Sequence, residues 1–372
     1  MLAAVKVTLT AVFFMCHIIV IPTFKRTNRD SAPMFCIKKM SSLFLLFFIS
    51  QLVLAQMPGT ETPVDSPVEQ VDSVDEVLVI GEQPGPGLWW VYKGDHVLRV
   101  LGTISPIPKN MEWQSKQVDA ALAESQEYIA PPSVKVEIGF WGKVGLLPSL
   151  IGIKNNPDSK KLVDVLSPEL YERWAVLKEK YIGQSQDIEK QRPIFAASEL
   201  FKKSIEKSDL VSNERVRWRL ENVVRDNKIK TTYPRIMHEV QRPRAAIKKF
   251  KKSTLDDTQC FAKTLARLES DLDAMRARAN AWSVGDINAL RNLPYVDNKA
   301  ACEEAVLNSE LAQDQGLQDI KTTLRAAWLE AAETALANNT MTFASLPMEE
   351  LLNPDGYLAA LAAKGYKVEA AE

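Results

Sequence analysis

The sequence predicts an α/β fold, and three observations carry that expectation. Strand-like and helix-like runs interleave along residues 87–372 instead of falling into separate blocks. A hairpin opens the region, with Leu88 to Tyr92, a Lys93-Gly94-Asp95 turn, then Val97 to Ile104. Far downstream, apolar residues at Phe261, Leu265, Leu268, Leu272, Met275, Ala279 and Trp282 recur in alternating steps of four and three, the spacing of one helix face.

Taken in order, the hairpin leads into a helix over Ser115 to Tyr128, with Val118 and Leu122 on one side, and then a strand over Val134 to Phe140. Helices are expected over Pro168 to Tyr181, Arg192 to Ser204 and Ser212 to Asp226. The last is basic and amphipathic, with Val216, Leu220, Val223 and Val224 inward. A strand over Ile229 to Tyr233 follows. The helix over 261–282 stops at Gly285. A later helix covers about Leu317 to Asn338, and Thr342 to Leu346 reads as a strand. In the tail, NPDGYLAALAAKGYKVEAAE, Asn353 or Asp355 can cap a short helix. Gly365 supplies the left-handed residue that ends it, and Gly365-Tyr366-Lys367-Val368 gives a final strand.

The N-terminus points to export. Residues 34–55 have the anatomy of a secretory signal: Lys38-Lys39, the short apolar run LFLLFFISQLVLA, then Val53-Leu54-Ala55 before Gln56. That run is shorter than the roughly 20 residues a membrane span needs. Residues 1–33 read as an extension upstream of a start at Met34, with a membrane hairpin of the runs 7–24 and 43–55 as the alternative. Residues 56–86 recur in proline and carry only acidic charges, the composition of a flexible linker. Within it, Val77-Leu78-Val79-Ile80 can pair as a short strand. No comparable apolar run follows Ala55, so the mature chain is expected to have no stable membrane span and to be periplasmic or secreted. Cys16 and Cys36 leave with the leader. Cys260 and Cys302 remain as an even pair in an oxidising compartment, and a disulfide between them is expected.

Charge and composition narrow the function. A formal net charge of −1 gives no electrostatic argument for nucleic acid. The dense basic stretch RPRAAIKKFKK, Arg242 to Lys252, has only Phe250 for stacking and reads as a solvated helix face. Trp89-Trp90 and Trp141 read as core or edge packing, with a carbohydrate platform as the sharper alternative. Only three histidines occur, His17, His96 and His238, too few for the usual multi-imidazole zinc centre.

Three segments carry a resemblance. Residues 88–113 read LWWVYKGDHVLRVLGTISPIPKNMEW; residues 162–200 contain LVDVLSPEL, a helix, then Arg192-Pro193; and the tail ends in a short helix and G-Y-x-V. Together they resemble the TraB/GumN family, which includes the Tiki metalloproteases. The resemblance covers residues 87–372. It implies a mixed central β-sheet flanked by α-helices, like that of the Tiki and erythromycin-esterase-like proteins, with a helical layer. It also implies a metal-dependent peptidase whose centre is framed by two histidine motifs.

The chain departs from both motifs. Family members carry G-T-x-H where this one has Gly102-Thr103-Ile104-Ser105. The second motif, G-x-x-H, falls on Pro347-Met348-Glu349-Glu350, so Glu350 stands at the second histidine. A family glutamate after the first helix aligns with Ala130 or Pro131, and another with Thr231-Thr232. A serine hydroxyl is a weak neutral ligand for a transition metal, and a single carboxylate is not a site. Ser105 as a nucleophile needs a base within reach, for which His96 is the nearest in sequence. Blandly read, Ser105 satisfies a local backbone group. Glu349 and Glu350 then act as first-turn acids of the next helix.

The expectation is therefore a degenerate, exported family member, a pseudoenzyme of the bacterial envelope. It would bind a peptide or an envelope polymer, or partner an active relative, without a cofactor. The alternative is a hydrolase using manganese or cobalt, with Glu350, Glu349 and Asp95 as substitute ligands.

Overall fold

In the computed structural model, which describes residues 84–137, 146–212, 214–293 and 296–370, six strands form one mixed sheet. The strands in chain order are β1 (Leu88–Lys93), β2 (His96–Thr103), β3 (Ile107–Pro108), β4 (Glu127–Ile129), β5 (Ser133–Glu137), β6 (Leu210–Val211), β7 (Lys230–Thr232), β8 (Arg235–Glu239), β9 (Met341–Pro347) and β10 (Lys367–Glu369). The main sheet runs β10-β1-β2-β9-β4-β7. Its β10-β1-β2 edge is antiparallel, and β2, β9, β4 and β7 are mutually parallel. β3 with β6 and β5 with β8 form two separate pairs. This is the mixed, helix-flanked sheet that the resemblance implies. The segments read as extension, leader and most of the linker, and Trp141, lie outside the described residues.

Local sequence explains the sheet. Gly94, at φ +61°, closes the two-residue turn that joins β1 to β2, a backbone angle that favours glycine. Strand β9 reads MTFASLP, and Thr342 to Leu346 are all buried, as expected of a central parallel strand covered on both faces. Trp89 is core, whereas Trp90 stacks on Tyr92 under Arg99 near the sheet edge. Helix Pro243–Lys252 buries Ala246, Ile247 and Phe250, and its Lys249 pairs with Asp314 in solvent, so the basic stretch is a solvated face.

Two helices differ from expectation. The one expected over Ser115 to Tyr128 runs only Lys116–Ala123, because Glu127 to Ile129 pair with β9 as β4. The periodic run 261–282 is two helices, Thr258–Ser270 and Leu272–Ser283. Its halves bury against different partners. Phe261, Leu265 and Leu268 pack with Trp174 and Leu200 in a helical layer, while Ala279 and Trp282 pack under the sheet with Val100 and Ala344. The break falls at Asp271. A disulfide joins Cys260 to Cys302 across 42 residues and ties helix Thr258–Ser270 to helix Asn298–Leu307. Among the described residues no helix is long and apolar enough to cross a membrane.

At the amino-terminal ends of the parallel strands, buried Glu127 accepts hydrogen bonds from Asn339 Nδ2 at 2.9 Å, Lys230 Nζ at 3.1 Å and the Thr232 hydroxyl. Burial alone would raise its pKa, but the three donors outweigh burial and hold the carboxyl below its ordinary value.

Two predictions follow from these ties. A group whose pKa is depressed on folding stabilises the fold above its unfolded pKa, and that stabilisation is lost as pH falls through the folded value. Glu127→Gln should therefore lower stability at neutral pH and flatten the acid limb of stability against pH below about 4.5, where an unfolded glutamate titrates; urea titrations at several pH values check this. Closing the 42-residue loop contributes about 4 kcal/mol in the chain-entropy account. The double variant Cys260→Ser with Cys302→Ser should lose a comparable amount in denaturant titration, and added reductant should leave that variant unchanged.

Candidate functional site

Parallel strands deliver their carboxyl ends to one side of a sheet, where open α/β folds bind ligands. The register here pairs Thr103 with Pro347, so β2 and β9 finish side by side. Ile104-Ser105-Pro106 leaves the end of β2, with a cis Ser105–Pro106 peptide, and helix Met348–Leu352 leaves the end of β9. That helix lies so close to β2 that a Cβ on Gly102 would sit 2.5 Å from Met348 Cε. The Trp282 indole donates a 2.6 Å hydrogen bond to the Gly102 carbonyl, and the Thr103 hydroxyl donates to the Leu346 carbonyl at 3.3 Å. Gly102 and Thr103 thus build the junction, and a Cβ at Gly102 would press on the flexible end of the Met348 side chain.

In front of this junction lies a cavity of about 470 Å³. Thr103, Ser105 and Glu349 line it from the strand ends. Helix Pro193–Lys207 contributes Ile194, Ala197, Ser198 and Phe201, one face at helical spacing. Thr264, Arg267, Arg278, Arg291, Asn298 and Lys299 complete its polar wall.

The charges are organised in two groups. In the first, Asp271 Oδ2 lies 2.6 Å from Arg278 Nη2 and 3.4 Å from Arg267 Nε, with all three side chains buried. Arg267 Nη1 donates to Asn298 Oδ1 at 2.7 Å, and Asn298 Nδ2 donates to Thr264 Oγ1 at 3.2 Å. The break between the two helices thus places a carboxylate where two guanidiniums converge. In the second group, Lys299 Nζ donates to Glu349 Oε1 at 2.8 Å. Burial disfavours the Lys299 ammonium, but Glu349, with Glu303 and Glu350 beyond it, holds its pKa well above the ordinary lysine value. Burial raises the Glu350 carboxyl, Lys299 opposes, and Glu349 and Glu303 add to the rise.

Of the residues singled out from the sequence, the fold brings Thr103, Ser105 and Glu349 to one cavity, with Gly102 behind them. Glu350 is half-buried and does not line it. Both glutamates do sit in the first turn of their helix. Ser105 is exposed at the cavity wall and hydrogen-bonds to no other described residue, so it does not satisfy a local backbone group. Asp95 and His96 sit at the opposite end of β2, roughly 23 Å of extended strand away. His96 is anchored there, with its Nδ1–H donating to the Leu336 carbonyl at 2.7 Å. His238, on β8, is half-buried, and burial pushes its imidazole below the usual value. Among the described residues no histidine lines the cavity. Ala130, Pro131, Thr231 and Thr232 are not at the cavity either. Thr232 instead hydrogen-bonds Glu127 at the far end of the strands.

Sequence reading missed the basic wall. Arg267 and Asp271 are four residues apart and lie roughly 100° around from the apolar series, and Arg278 follows on the next helix.

The donor set does not fit a divalent metal. Among the described residues no group of three or more histidines, cysteines, aspartates or glutamates is placed to hold one. Ser105 offers a neutral hydroxyl, and the Lys299 ammonium already sits on Glu349.

Asp271 is the carboxylate that two buried guanidiniums share. Asp271→Ala should cost about 3–5 kcal/mol in denaturant titration, the range for breaking one side of a buried ion pair.

The TraB/PrgY/gumN family model matches residues 87–370. No curated protein and no solved structure matches the chain.

Proposed function

The chain belongs to the TraB/PrgY/gumN family, and from that premise we propose that it acts by binding, without metal-dependent catalysis. The ligand is a peptide or an envelope polymer. The place of action is outside the cytoplasm, periplasmic or secreted, as the leader-like residues 34–55 suggest. An active relative is a natural partner for such a protein, because a binding-only member can hold a substrate that the relative cleaves.

One observation carries the reading: Lys299 Nζ lies 2.8 Å from Glu349 Oε1 in the cavity where the two family motifs meet. A hydrolytic metal needs anionic or imidazole donors with an open coordination position. Here the carboxylate at the second motif is engaged by a fixed ammonium, which would repel an incoming cation, and the first motif supplies only Ser105. What remains is a walled, partly apolar pocket with polar groups converging on it, the usual character of a ligand site.

The test is direct. The purified chain, incubated with manganese or cobalt and desalted, should retain no stoichiometric metal and should not cleave a peptide library. Stoichiometric metal with turnover that is lost in Glu350→Ala would overturn the reading and restore the metal-hydrolase alternative. Cell fractionation should place the chain in the periplasm or the medium; recovery in the cytosol would remove the export part.

A further inference from the structure

We propose that the cavity recognises a chain end bearing a carboxylate next to an apolar group, namely the free C-terminus of a peptide whose last residue is apolar. This rests on the binding reading above and names the ligand class for the same cavity.

Charge sets the first requirement. Four cations, Arg267, Arg278, Arg291 and Lys299, line the cavity, and Glu349 is the one carboxylate among the lining residues. Asp271 stands behind Arg267 and Arg278 and is shared by both. Lys299 is matched by Glu349, with Glu303 and Glu350 beyond it, and Arg267 and Arg278 share Asp271, so Arg291 is the lining cation to which an anionic group is the complementary occupant. Arg291 is exposed at the rim and makes no ion pair with another described residue, so its planar fork is open to a carboxylate.

Apolar surface sets the second requirement, and it adjoins the cations. The Arg267 guanidinium lies 5.3 Å over the Phe201 ring. Ile194, Ala197 and Phe201 continue that wall along one helix face, and Leu290 and Leu293 flank Arg291. A ligand that fills the cavity presents its anionic group within a few ångströms of an apolar one. A C-terminal apolar residue has that layout, with carboxylate and side chain on the same Cα. Ser198, exposed on the same helix face, supplies a hydroxyl for the preceding peptide bond.

Size sets the third. At about 470 Å³ the cavity falls within the roughly 300–1,000 Å³ typical of small-ligand sites. It suits the end of a chain better than the length of a polymer.

The experiment uses the full chain and calorimetric titration with N-acetyl-Ala-Ala-Ala-Leu as the free acid and as the C-terminal amide, with octanoate as a non-peptide source of the same chemistry. The acid should bind, the amide roughly tenfold or more weakly, and octanoate less tightly than the acid peptide, in keeping with the strength of charge-assisted pairs. Arg291→Gln should weaken the acid several-fold and leave the amide unchanged, with Arg291→Lys intermediate. Because Arg291 is exposed, its variants test recognition without threatening the fold. Equal affinity for acid and amide would overturn the carboxylate inference while leaving the binding reading standing. Octanoate as tight as the acid peptide would overturn the peptide assignment. Binding of neither peptide would overturn the inference altogether. Metal-dependent cleavage of either peptide would instead overturn the binding reading, and the two failures are told apart by product analysis.

Discussion

Strand β9 enters the sheet late in the chain, between β2 and β4, and its register against β2 decides where two distant segments emerge. Thr103 faces Pro347 at the last rung, so Ser105 and Glu349 leave the sheet at one level and reach one cavity. A slip of one residue would turn every β9 side chain to the other face, and the cost is high because Thr342 to Leu346 are buried throughout. Pro347 carries no N–H to extend the ladder, which suits the end of a strand. Gly102 completes the junction by letting Met348 lie directly on β2. The cavity floor is thus set by strand register, with the Met348 side chain filling the space over Gly102.

Charge then gives that space its chemistry. Two guanidiniums on Asp271 and an ammonium on Glu349 put side-chain cations around a junction whose family motifs would otherwise present histidines. Buried ion groups are a doubtful source of stability, because desolvation consumes much of the Coulombic gain. Their geometric effect is to shape one wall of the pocket. The same groups explain the break in the 258–283 helical region: Asp271 gathers both arginines where the two helices exchange one core for another.

Much of the fold was legible in the sequence, for physical reasons that differ by element. The β1–β2 hairpin was readable because Gly94 and alternating apolar residues are local signals, and the tail because Gly365, at φ +90°, is one too. The disulfide followed from counting cysteines and from the expectation of export. The end of helix Lys116–Ala123 was not readable, because β4 owes its existence to pairing with β9 far along the chain. The helix break at Asp271 was hidden because the apolar period continues through it. Near the cavity, the sequence singled out Gly102, Thr103, Ser105, Glu349 and Glu350, of which Thr103, Ser105 and Glu349 line it, whereas Lys299 and the three arginines depend on helix packing that no local pattern encodes.

The adjacent glutamates show how far such a reading reaches. Motif alignment sets Glu350 at the histidine position, yet the cavity is lined by Glu349. Successive residues on a helix point about 100° apart, and here Glu349 is the one of the pair that lines the cavity. Turning Glu350 inward would require rotating helix Met348–Leu352. Pro347 fixes its entry, and Met348 is wedged against Gly102. At its far end a Cβ on Gly356 would lie 2.2 Å from the Glu350 carbonyl, so backbone packs on backbone there as well. A substitute metal ligand at Glu350 would have to undo contacts at both ends of a five-residue helix, whereas Glu349 needs no movement to hold Lys299. The geometry therefore favours a carboxylate that anchors a lysine over one that recruits a metal.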